Sequence, residues 1–159
     1  MNNNLLKNSY STGTVSSGGL YVGGVAGWNS GTVQNCYSTG STFTGDDRVG
    51  GIVGENTGGT VQNCVALGIG DITTNVGVSG DAGWIASNYS GTLINNFSRA
   101  GSINGWGLPA MGSNLAGLNG FFITSTEWQN ISWWQSAAPT GPAFTDPWWT
   151  SARLPLTLP

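Results

Sequence analysis

The sequence contains no histidine and little charge of either sign: four Lys and Arg, seven Asp and Glu, and a formal net charge of −3 over 159 residues. Without an imidazole, a Ser or Cys nucleophile lacks its usual general base. Four scattered cations form no basic stripe that would neutralise phosphates, so nucleic acid is not an expected partner. Apolar runs are short as well. None approaches the roughly 20 residues that span a bilayer, and Met1–Ser9 show neither the charged nor the apolar region of a signal peptide. Two cysteines with no histidine are too few for a structural zinc site. The expectation is a non-enzyme with no cofactor, no metal and no membrane span.

Low charge with 27 glycines suggests disorder, but eight Trp, five Phe, four Tyr and a steady supply of Val and Ile argue for a buried core. The length suits one domain, or one compact block of a longer protein. Its organisation is repetitive. "NSYSTG" begins at Asn8, "NCYSTG" at Asn35, "NCVALG" at Asn63 and "NNFSRA" at Asn95, which are 27, 28 and 32 residues apart. A second block keeps step with the first: "GGVAGWNSGTVQ" from Gly23, "GGIVGENTGGTVQ" from Gly50, "AGWIASNYSGTLI" from Ala82, and a shortened "LAGLNG" from Leu115. A unit this short cannot bury its own apolar face, so the units must stack.

Frequent glycine and alternating apolar positions oppose helical repeats and favour short strands between Gly, Asn and Ser turns. The fold expected is all-β: a parallel β-solenoid of about four coils, three strands to a coil, with successive coils about 4.8 Å apart. Its predicted core is Val25, Ile52, Ile85, Val33, Val61, Leu93 and the Cys36/Cys64 column. Composition changes after Gly120. Of the 27 glycines, 26 precede Phe121, whereas five of six prolines and five of eight tryptophans follow it. Residues 1–120 are therefore assigned to the repeats, and 121–159 to an aromatic, Pro-containing C-terminal cap over the final coil.

The stretch "GGVAGWNSGTVQNCYSTG" resembles the GLUG repeat of large bacterial surface proteins, and the likeness extends over roughly Leu5–Gly120. It combines paired glycines, an Asn-Ser/Thr-Gly turn and the Asn-Cys-Tyr-Ser-Thr-Gly run. The closing "PWWTSARLPLTL" is similar to the Trp and Leu-Pro ending of such regions. The resemblance implies an extracellular β-solenoid, at a prokaryotic cell surface, with no catalytic residues of its own. The fourth unit departs from the pattern, with Asn96 at the cysteine position.

Several residues are candidates for more than packing. Cys36 and Cys64 share a column at a spacing that permits either a disulfide or a ladder of free thiols, with Ser9 below and Asn96 above. Asn35, Asn63 and Asn95 are expected to form a structural corner ladder, since Asn tolerates the left-handed conformation and bonds turn backbone. Thr32, Thr60 and Thr92 form one regular threonine rank. Asp47 and Asp71 are the only carboxylates that neighbouring coils would bring together, too sparse for a calcium loop or a glycosidase pair. Trp133, Trp134, Trp148 and Trp149 either cover apolar surface or present ring faces to a sugar or a partner. Sequons stand at Asn88, Asn96 and Asn130.

Around Asn8–Val15 the first coil has no proline and only Lys7 for charge, the devices that usually blunt an exposed strand edge. Two partners follow for this end: another copy stacked head-to-tail into a homopolymeric filament, or flanking repeats in an adhesin stalk. Surface glycans remain the partner of the alternative, a carbohydrate-binding module built on the tryptophans.

Overall fold

The computed structural model describes residues 1–40, 43–75, 82–88, 90–99, 102–104 and 114–158, with side chains throughout except at residues 88 and 102–104. The chain winds into a stack of short strands, every one parallel to the strand it pairs with above. The first coil comprises β1 (Leu5–Lys7), β2 (Tyr10–Ser11), β3 (Val15–Ser16), β4 (Tyr21–Gly23) and β5 (Ala26–Asn29). The second comprises β6 (Thr32–Gln34), β7 (Tyr37–Ser38), β8 (Phe43–Gly45), β9 (Arg48–Gly50) and β10 (Val53–Asn56). In the third are β11 (Thr60–Gln62), β12 (Val65–Ala66), β13 (Asp71–Thr74), β14 (Ala82–Gly83) and β15 (Ala86–Asn88). A partial fourth coil contributes β16 (Thr92–Ile94), β17 (Phe97–Arg99) and β18 (Ser102–Asn104). The protein is an all-β parallel β-solenoid of three complete coils and part of a fourth.

Each complete coil has five strands rather than the three expected. The added columns are β3-β8-β13-β18 and β4-β9-β14. Val15 pairs with Phe43, 28 residues on, whereas Tyr21 pairs with Arg48 at the 27-residue spacing of Asn8 and Asn35. A one-residue insertion is thus cancelled a few residues later and hides the β3-β8 pairing from a gap-free comparison, while β4-β9 runs directly into the glycine block and is not separated from it by the repeat alone.

Like lies above like, which fixes the interior. Leu6, Val33, Val61 and Leu93 share one register, as do Val22, Val49 and Ala82. Val33, Ile52, Val61, Ile85, Leu93, Cys36 and Cys64 are all buried in the central core, and Val25 packs against it half-buried. The glycine blocks have a steric cause. The bend between β9 and β10 is so tight that a Cβ at Gly50 would lie 1.9 Å from the Val53 carbonyl oxygen, and β10 lies so close to β5 of the coil before that one at Gly54 would lie 2.5 Å from the Gly27 carbonyl oxygen. Only glycine lets two backbones approach this closely.

The shortened "LAGLNG" block takes its predicted place. The Leu118 carbonyl accepts from Ile85 N–H at 2.8 Å and Ala86 N–H at 3.3 Å, as the Ile85 carbonyl accepts from Ile52 and Val53 one coil earlier. Leu115 meanwhile accepts from Asn96 N–H, so residues 115–120 bridge from the glycine block of the third coil to the asparagine corner of the fourth. The chain then enters β19 (Phe121–Ile123), which pairs with β17 and completes the five-stranded sheet β2-β7-β12-β17-β19. Two short helices follow, α1 (Ser125–Trp128) and α2 (Ile131–Gln135). The first opens with a capping box between Thr124 and Glu127, the second with Asn130 bonded to Ser132 N–H.

The sequence places the tail over the final coil. Its described contacts run down the flank of the stack, across the outer face of that five-stranded sheet. Tyr37, Val65, Leu67 and Phe97 from the sheet meet Ile123, Trp128, Trp133, Trp134, Phe144, Trp149 and Leu154 in a second core. The sheet is buried on both faces, as parallel sheets generally are.

Candidate functional site: the asparagine corner and the two ends of the stack

Every coil enters the five-stranded sheet through an asparagine in the left-handed conformation: Asn8 (φ 52°), Asn35 (52°), Asn63 (53°) and Asn95 (50°). Asn is among the few residues that adopt this geometry without large penalty, because its short amide bonds locally. The predicted ladder is present. Asn95 Nδ2 donates to Asn63 Oδ1 at 2.8 Å, and Asn63 Nδ2 donates to Asn35 Oδ1 at 3.3 Å.

The tail joins this ladder along its length. Asn95 Nδ2 also donates to the Gly141 carbonyl (3.0 Å), Asn35 Nδ2 to the Ala143 carbonyl (3.1 Å), and Asn8 Nδ2 to the Asp146 carboxylate (2.8 Å). Trp149 Nε1 donates to Asn8 Oδ1 at 3.3 Å. Because carbonyls and carboxylates only accept and an indole N–H only donates, these partners fix which way each amide faces. The ladder therefore has a direction, its donors facing the first coil. At its upper end the buried Asn95 Oδ1 has no donor among the described residues. Asn119, two residues before Phe121 and so in the same column, instead accepts Trp84 N–H at 3.2 Å.

A second ladder was not foreseen. Asn2 Nδ2 donates to Asn29 Oδ1 at 2.7 Å, and Asn29 Nδ2 to the fully buried Asn56 at 2.8 Å. Its signal was the asparagine of the "WNSG" and "ENTG" turns, which reads as turn chemistry until the stacking is known. An ion pair was missed too. Arg48 Nε lies 3.3 Å from Oε2 of Glu55, a residue 1% exposed whose Oε1 accepts from Thr57 at 2.7 Å and whose Oε2 accepts from Ser87 at 3.4 Å. In the first coil the same two columns hold Tyr21 and Trp28.

The four candidate tryptophans are separated by the fold. Trp133, Trp134 and Trp149 are buried in the flank core, and only Trp148 is open, at 43% exposure. The Arg153 guanidinium covers that ring at 3.8 Å from its centroid. A sugar platform of two exposed coplanar rings is thus absent from this group. Cys36 and Cys64 are stacked, buried and free, and each sulfur lies 3.2 Å from the carbonyl two residues before it, of Gln34 and Gln62. Burial pushes the Cys64 thiol well above its ordinary range. Asp47 and Asp71 do not meet: Asp71 precedes the Ile72–Phe43 pair, while Asp47 follows β8 and lies against Arg48. Asn96 is fully buried, its amide donating to the Val61 carbonyl, which leaves no room for a glycan.

The ends of the stack differ from its middle. Among the described residues nine large apolar side chains are exposed, and Met1, Leu5, Tyr10, Leu20 and Tyr21 of the first coil are five of them. A groove of about 390 Å³ lies there, between Met1, Tyr21, Gly27 and Trp28. At the other end a groove of about 370 Å³ is lined by Phe97, Phe121, Ile123, Glu127, Trp133, Pro139 and Thr140.

Two outcomes test the corner. Asn63→Ala removes two amide hydrogen bonds and leaves left-handed backbone to a residue without the short amide that makes it tolerable, a loss of roughly 2–4 kcal/mol by urea unfolding. Asn63→Gly recovers about 1 kcal/mol of that by relieving the backbone alone. Asp146 tests the tail's grip: its carboxyl is held below the usual range by the Trp148 backbone N–H, then by the Asn8 amide and Lys7. A depressed carboxyl stabilises above its unfolded pKa, about 3.9, and that support disappears as pH falls through the lower folded value. Tail tryptophan fluorescence in the wild type should therefore shift more on acidification below about pH 4 than in Asp146→Asn.

No curated protein and no solved structure matches the chain. Residues 18–44, about one coil from the approach to β4 through most of β8, match the family model Glug, described as the GLUG motif. One such motif within a parallel β-solenoid of closely similar coils is consistent with a GLUG-repeat region.

Proposed function

We propose that this chain is a non-enzymatic structural and adhesive element of an extracellular or cell-surface solenoid, and that another solenoid coil continues the open edge of its first coil. The motif and the fold fit a surface-type repeat protein. The observation that carries the proposal is the first coil's edge. Tyr37 N–H donates to the Ser9 carbonyl, Arg48 N–H to that of Leu20 and Thr32 N–H to that of Asn4. The residues one coil earlier in the same columns are Tyr10, Tyr21 and Leu5, and no coil lies beneath them among the described residues. Their N–H groups and exposed side chains form a ready template for one more parallel coil. Such an edge is filled by a neighbouring repeat in a stalk, or by a second copy in a filament.

Stability measures whether the edge accepts a coil. A chain carrying an additional copy of residues 29–55 ahead of Asn2 should melt several degrees higher, at about 2–4 °C per kcal/mol for this size, and should bury Tyr10. An unchanged melting temperature with the added coil cut by protease would overturn the proposal. Fractionation of the source cells addresses location, where recovery solely from cytosol counts against a surface role.

A further inference from the structure

The sheet β2-β7-β12-β17-β19 is the tallest column of the molecule, and its outward side chains, in register, are Tyr10, Tyr37, Val65, Phe97 and Phe121. In the middle of the column these side chains are buried beneath the tail. Its two ends are exposed aromatics of nearly equal exposure, Tyr10 at 48% and Phe121 at 47%. Tyr10 lies flat on Tyr37, 5.1 Å between centroids and 6° between planes, so one ring face is satisfied and the other faces the edge. Phe121 meets Phe97 edge-on at 80° and 6.5 Å, and beside it lies the roughly 370 Å³ aromatic groove.

All five strands run in one direction. The outer edge of β19 and the outer edge of β2 are therefore the upper and lower edges of one parallel sheet, and one can continue the other without reversal.

From these complementary ends we infer that the coil received by the first coil belongs to a second copy of this chain: β19 of one copy pairs beneath β2 of the next, with Phe121 against Tyr10. The inference rests on the edge-stacking proposal above and names its partner. Because the two surfaces differ, the contact is heterologous. Each copy keeps one free end, and repetition without closure produces a filament.

Paired cysteines discriminate the partner. The native Cys36 and Cys64 are buried, so Tyr10→Cys and Phe121→Cys introduce the only accessible thiols among the described residues. Adjacent parallel strands bring such columns within the roughly 4.4–6.8 Å Cα range of a disulfide. Each variant is first checked for native far-UV circular dichroism. Under mild oxidation by a copper complex, a mixture of the two should form a covalent dimer and neither variant alone should. The double variant should form a ladder of dimers, trimers and higher species on a non-reducing gel. In light scattering, Phe121→Glu should weaken association at least tenfold without changing the melting temperature.

Crosslinking of Tyr10→Cys with itself would overturn the inference, since it signifies a symmetric contact. So would association of the wild type with no Tyr10–Phe121 crosslink, or a wild type that stays monomeric at every concentration. Those failures leave the edge-stacking proposal standing if the chain with the added coil is stabilised. Failure of the added coil to order, with the crosslink present, would instead show that the two ends meet by a contact other than coil stacking.

Discussion

In this solenoid each coil must place its backbone groups and side chains directly above their counterparts at one strand spacing, and nearly everything else follows from that registry. A slip of one residue would turn every interior side chain outward. The left-handed asparagines prevent it. Asn8, Asn35, Asn63 and Asn95 turn the chain at one corner, and three of them bond amide to amide, so the corner is specified both by a backbone conformation few residues adopt and by a side-chain contact that requires the neighbour to be level.

A ladder of buried amides is stable only while its members are partnered, because an unsatisfied polar group away from water costs about 1–3 kcal/mol. This explains the course of the tail. The Gly141 and Ala143 carbonyls and the Asp146 carboxylate accept the N–H groups that the asparagines do not give to one another. The aromatic residues around them cover the outer face of the sheet. Polar bonds fix the position of the strap, and buried rings, each covering roughly 150–250 Å², supply the area that holds it. The tail thus spans from the last coil to Asn8 in the first and resists separation of the coils between.

The same registry accounts for the character of the ends. In the middle coils every edge has a neighbour. At the first coil the column simply stops, and the residues that would be buried one coil higher stand open. Tyr10 and Tyr21 are exposed for lack of a neighbour, although Tyr37 in the next coil of Tyr10's column is buried. An apolar edge of this kind is selected against in free monomers and retained where something covers it.

How much was legible follows from how local each feature is. The repeat, the parallel all-β stack, the interior column of Val33, Val61 and Leu93, and the asparagine corner are written in the sequence, because in-register stacking makes equivalent positions chemically alike. Even the shortened Leu115–Gly120 block could be placed from its order. The strand number per coil could not, since a compensated insertion hides the β3-β8 pairing and the β4-β9 column merges with the glycine block that follows it. The roles of Trp133 and Trp148 could not either. Both sit in Trp-Trp pairs beside polar residues, yet one is buried and the other exposed, because burial there depends on which part of a distant sheet the tail crosses. Sequence determined what repeats and therefore what stacks; only the tertiary structure decided where the non-repeating tail lies and which edges remain open, since both rest on contacts between residues more than a hundred positions apart, such as Asn8 with Asp146 and Tyr37 with Arg153.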